Sequence, residues 1–109
     1  MYEYKDLYTI DFRKVNNYFK AHEIIADELD FPDYYGCNFD ALWDCLTDMV
    51  GRQININILG MDDFKKLFGT DDTNTFVRIL KRLKHYNNDK YASQINITLF
   101  YKDRIEKID

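Results

Sequence analysis

Two alternating segments constrain this chain more than any other feature. Gln53–Leu59 (QININIL) sets Ile54, Ile56 and Ile58 on one side and Asn55 and Asn57 on the other, and Ser93–Tyr101 (SQINITLFY) repeats the pattern. A period of two is that of a strand with one buried face and one wetter face. Leu7–Phe12 (LYTIDF) reads as a shorter first strand. Between these runs the period changes to that of a helix. Phe19, Ile24, Ile25 and Leu29 are spaced for an amphipathic helix that Pro32 stops. Asn38 is a good N-cap for a second helix over Phe39–Met49, with Gly51 as its stop. Asp62 or Asp63 is expected to cap a short helix through Phe68, ended by Gly69. A fourth helix, Asp72–Tyr86, carries the apolar stripe Phe76, Ile79, Leu80 and Leu83.

The order is strand, two helices, strand, two helices, strand. Crossovers of that length make neighbouring strands parallel. The expected fold is therefore α/β: a small three-stranded parallel sheet with about four helices, mainly on one face. The chain of 109 residues is read as a single domain, 1–109, whose charged tail 102–109 is expected to fray. With 46% hydrophobic and 17% aromatic residues there is enough apolar surface to offset the entropy of ordering.

Net charge is −4, which suits a basic partner better than nucleic acid but decides little alone. Cys37 and Cys45 match no zinc or redox spacing and read as reduced thiols. The first six residues have no apolar signal core and no run is long enough to span a membrane, so a cytoplasmic location without membrane contact is expected.

The unusual segment is Phe39-Asp40-Ala41-Leu42-Trp43-Asp44-Cys45-Leu46-Thr47-Asp48-Met49. Phe39, Leu42, Cys45, Leu46 and Met49 form a core-facing stripe. Asp40, Asp44 and Asp48 recur every four residues along a neighbouring stripe. Like charges at that spacing oppose folding by roughly 0.2–0.5 kcal/mol per pair. Asp48 also sits where the helix dipole disfavours an anion. No Lys or Arg within a turn compensates them along the helix. Trp43 stands beside this stripe, with Tyr34 and Tyr35 just ahead of it, and aromatics beside charge are common anchors of protein interfaces. Pattern alone favours the plainer alternative, in which the aromatics are core or boundary residues and the aspartates solvate a face.

A resemblance shifts that balance. The run Phe31–Thr47, above all Pro32-Asp33-Tyr34-Tyr35-Gly36-Cys37-Asn38-Phe39-Asp40-Ala41-Leu42-Trp43-Asp44-Cys45-Leu46-Thr47, resembles the signature of the barstar family, intracellular inhibitors of the ribonuclease barnase. The resemblance implies an inhibitory face built from the second helix and the preceding loop. It implies that Asp44 enters a ribonuclease active site and stands in for a substrate phosphate. Tyr34, Asp40, Trp43 and Thr47 would surround it, and Asn38 would mark the start of the helix; Tyr35 and Asp48 join the candidate partner-binding residues by their place at the acidic stripe. The partner so implied is a basic, barnase-like ribonuclease or a related nuclease toxin, bound by an inhibitor that is a monomer when free. The chain departs from the family prototype at three places. Asp48 and Met49 replace glycine and tryptophan, Cys37 replaces an acidic residue, and Arg82 falls near an acidic contact of the last helix.

Two rivals are weaker. A metal or enzyme site on the aspartates fails on geometry, because Asp40 and Asp48 are about 12 Å apart along a helix axis and an ion needs ligands at about 2.1–2.5 Å. A dyad with His22 or His85 would need long-range convergence, and no nucleophile elbow or phosphate loop is present. No enzyme activity, cofactor or metal is therefore expected. A nucleic-acid-binding module on the basic helix 75–86, using Arg78, Lys81, Arg82, Lys84 and His85, competes with the solvated face of an amphipathic helix, and the acidic net charge disfavours it.

Overall fold

The computed structural model describes residues 6–49, 53–86 and 95–109. Its elements follow the order β1 (Leu7–Asp11), α1 (Tyr18–Leu29), α2 (Phe39–Thr47), β2 (Ile54–Leu59), α3 (Met61–His85), β3 (Ile95–Phe100) and β4 (Ile105–Lys107). The proposed stop at Gly51 and the expected first residues of the third strand, Ser93 and Gln94, lie outside the described residues.

The sheet runs β1-β2-β3-β4. β1, β2 and β3 are parallel, with Ile10, Ile58 and Leu99 in one row. The alternation works as the residues predict. Ile54, Ile56, Ile58, Ile95, Ile97 and Leu99 are buried in the core, while Asn55, Asn57 and Thr98 are half-buried and Asn96 exposed on the other face. There Asn96 Nδ2 donates to Asn55 Oδ1 at 3.0 Å, tying β3 to β2 across the wetter surface. β1 is an outer strand, and the Thr9 N–H that faces outward donates to Glu28 Oε1 at 2.9 Å. An edge amide satisfied in this way is not free to pair with another chain.

Among the described residues the sheet has four strands rather than three, and the fourth comes from the tail. β4 pairs antiparallel with β3, Phe100 opposite Ile105 and Thr98 opposite Lys107. The reversal is closed by Tyr101 N donating to Arg104 O at 2.9 Å, with the Arg104 guanidinium 3.7 Å from the Tyr101 ring centroid. Ile108 is what holds the tail. It is buried in the core, and its N–H donates to Ile97 O at 2.9 Å. One buried isoleucine is worth roughly 1.5–3 kcal/mol, and the charged residues around it stay largely exposed to solvent.

α1 packs on β1, α3 on β3, and α2 chiefly on α3. The short helix through Phe68 and the helix over Asp72–Tyr86 expected on either side of Gly69 form one segment with a break there. Gly69 has φ 86° and ψ 175°, and the helix resumes beyond it in a new direction. Phe64 and Phe76 measure the effect. In an unbroken helix they would be about 18 Å apart along the axis, yet their rings stack at 4.6 Å. The helix also starts differently from the expectation. Its N-cap is Gly60, in the left-handed region, and neither Asp62 nor Asp63 caps it. Asp62 Oδ2 accepts from Lys102 N at 2.6 Å instead. Gly60 is required by space as well as by φ, because a Cβ there would lie 2.6 Å from Arg13 N. No helix among the described residues is long and apolar enough to cross a membrane.

Candidate functional site

α2 begins as its sequence predicts. Asn38 is extended, and its side chain accepts from Ala41 N at 2.8 Å, while Asp40 occupies the first turn. The helix buries Leu42, Cys45 and Leu46, rests Phe39 and Trp43 against the core, and turns Asp40, Asp44 and Asp48 outward. Its last residue is Thr47, so Asp48 is the C-cap rather than an interior residue. Among the described residues none of these three carboxylates is in an ion pair. The Thr47 hydroxyl is occupied within the helix, donating to Asp44 O at 2.8 Å.

The two tyrosines ahead of the helix differ. Tyr34 is 83% exposed and free to meet a partner. Tyr35 is half-buried, its ring 5.1 Å from that of Phe31 and its hydroxyl 2.7 Å from His22 Nδ1. Burial pushes the Tyr35 hydroxyl well above its ordinary pKa, and burial likewise pushes the imidazole of His22 below its own. His22 is enclosed by the rings of Tyr35, Phe39 and Phe68. The contact therefore fastens the loop before α2 to α1, and neither histidine meets an aspartate of α2. Burial, with Asp48 and Asp44 nearby, raises the pKa of the Cys45 thiol, which keeps it protonated and poorly nucleophilic. Cys37 and Cys45 are both free. Among the described residues no group of three or more His, Cys, Asp or Glu side chains is placed to hold a metal ion.

Trp43 joins α2 to the second half of α3. Tyr86 meets it edge-on at 5.6 Å, and the Arg82 guanidinium lies 4.1 Å from its ring centroid. Between the two helices runs a groove of about 350 Å³, with Asp40 and Asp44 on one wall and Arg78 and Arg82 on the other. The helical pattern did not reveal this pairing, because residues 43 and 82 are far apart in sequence. Two basic residues of the helix are held by the fold. Lys84 Nζ donates to Ile95 O and His85 Nε2 to Asp109 O at 2.7 Å, so both are committed to the fold.

The comparison with known families decides the lineage: the profile for Barstar (barnase inhibitor) matches residues 6–100. This chain belongs to the barstar family. A Bacillus subtilis (strain 168) relative, named "Putative ribonuclease inhibitor YrdF", is 34% identical over 82 residues, covering 75% of this chain and 89% of its own length. The matched span takes in β1 to β3 and the three described helices of this barstar-family chain. β4 lies beyond it.

Proposed function

We propose that this chain inhibits a basic, barnase-like ribonuclease by seating α2 in its active-site cleft, with Asp44 standing where a substrate phosphate would bind. Family membership and the name of the Bacillus subtilis relative support the general reading. One observation carries the mechanism. Asp44 is exposed on a capped helix, and no cation of the described chain is within ion-pair distance of it. A ribonuclease cleft gathers cationic side chains to hold phosphate. A carboxylate on a rigid helix offers them the same charge-assisted hydrogen bonds without a scissile bond. Because the helix is already formed, little ordering entropy opposes binding. Asp40 and Asp48 strengthen the local field, Trp43 and Tyr34 supply apolar contact, and the chain acts by occlusion rather than by catalysis.

The test is titration of barnase with the parent chain and with Asp44→Ala. The substitution should weaken inhibition by at least ~2 kcal/mol, the general threshold for an interface hot spot, for which the barnase–barstar pair is itself a standard example. Equal inhibition by the two proteins would overturn the mechanism. Binding of RNA by the basic helix is disfavoured, since Lys84 and His85 are engaged by the fold and the net charge of −4 opposes phosphate binding.

A further inference from the structure

We infer that the nuclease recognised by this chain carries an acidic rim beside its basic cleft, and that Arg82, set in place by Trp43, reads that rim. The inference rests on the inhibitor reading above and narrows the partner it calls for.

The groove between α2 and α3 is divided by charge: Asp40 and Asp44 stand on one wall, Arg78 and Arg82 on the other. If the arginines served to neutralise the aspartates, an ion pair across the groove would be expected, and among the described residues there is none. Arg82 lies over the Trp43 indole instead. A guanidinium resting over an aromatic ring still has N–H donors to offer a carboxylate. Tyr86 packs against the indole with the two ring planes 81° apart and steadies the platform.

The consequence for a partner is restrictive. A surface that is cationic throughout would satisfy α2 and be repelled by α3, and like charges brought together in an interface cost several kcal/mol. The repulsion would extend beyond Arg82. Arg78 also lines a second groove, of about 530 Å³, with Lys65 and Lys81, and although Arg104 there is paired with Glu106 at 3.8 Å, the other three cations carry the positive region away from α2. A partner that closes over both helices therefore has to change sign along its own surface, basic opposite Asp44 and acidic opposite Arg82.

The experiment uses catalytically silenced barnase as the probe. Its positions facing α3, when α2 occupies the cleft, are randomised, and the library is sorted for binding to the full chain and, separately, to Arg82→Glu. Sorting on the parent should enrich Asp and Glu at the rim. Sorting on R82E should enrich Lys and Arg, and an acidic-rim clone should bind R82E at least ~10-fold more weakly than the parent. Enrichment without charge preference, or the same clones from both sorts, overturns the inference. Asp44→Ala separates the two levels. If it abolishes binding while the rim shows no preference, the inhibitor reading stands and the rim assignment falls. If it leaves binding intact, both fall.

Discussion

The hydroxyl of Tyr35 lies 2.7 Å from Nδ1 of His22, joining the loop that precedes α2 to the middle of α1. His22 is 6% exposed and ringed by aromatic side chains, an environment hostile to an imidazolium. Burial holds its folded pKa below the ordinary 6.5. The unfolded chain therefore takes up the proton first as pH falls, so the contribution is complete above 6.5 and declines as pH drops through the folded value. Urea unfolding at about pH 7.5 and about pH 5 should show the lower midpoint at the lower pH. His22→Phe should flatten that difference. Asp11, held below its ordinary value chiefly by the side-chain hydrogen bond from Arg13, acts in a separate and more acidic window. An unchanged midpoint between the two conditions would show that His22 does not limit stability.

Tyr35→Phe removes the hydroxyl and leaves the imidazole nitrogen without its partner. A buried polar group so orphaned costs roughly 1–3 kcal/mol, to be read from the same urea curves. If Tyr35 instead acts by direct contact with the nuclease, affinity would fall with no change in unfolding midpoint.

The two left-handed glycines should respond differently to alanine. Gly60→Ala combines an unfavourable φ of +78° with a Cβ 2.6 Å from Arg13 N, whereas Gly69→Ala, at φ +86°, meets no atom within 4 Å. The second should cost ~1–2 kcal/mol from backbone strain alone. The first should cost clearly more, because the ends of β1 and β2 must separate. Thermal melts of the two variants side by side check the order.

Ile108→Ala should destabilise by ~2–4 kcal/mol, as for other large-to-small changes in a core, and should speed amide exchange in β4. Loss of less than about 1 kcal/mol would mean that the tail is attached only loosely.

Salt should act on association with the nuclease more than on dissociation. Asp40, Asp44 and Asp48 are exposed, and attraction between exposed charges is screened over about 8 Å at physiological ionic strength. Stopped-flow association with barnase at rising salt is the measurement. A rate independent of salt would count against electrostatic capture by α2.

The parts of the fold written in repeating patterns were legible in the residues. Ile54/Ile56/Ile58 and Ile95/Ile97/Leu99 announce the two inner strands, and the break at Gly69 follows from the glycine itself. β4 was not legible, since a three-residue strand of Ile, Glu and Lys has no period to detect and its anchor is a single residue, Ile108. The start of α3 was misplaced because Asp62 and Asp63 resemble caps, while the turn needed the left-handed freedom of Gly60. At the candidate site, the outward row of aspartates and the cap at Asn38 emerge from spacing. The contrast between Tyr34 and Tyr35 does not, nor does the meeting of Trp43 with Arg82, because each depends on what a distant helix brings alongside.

Along the second half of α3 the inward residues Ile79, Leu80 and Leu83 alternate with the outward Arg78, Lys81 and Arg82. Those outward positions can change sign from one lineage to another while the packing beneath them is left intact. An inhibitor built this way can follow a drifting enemy by redrafting three surface letters, with no need to invent a new scaffold.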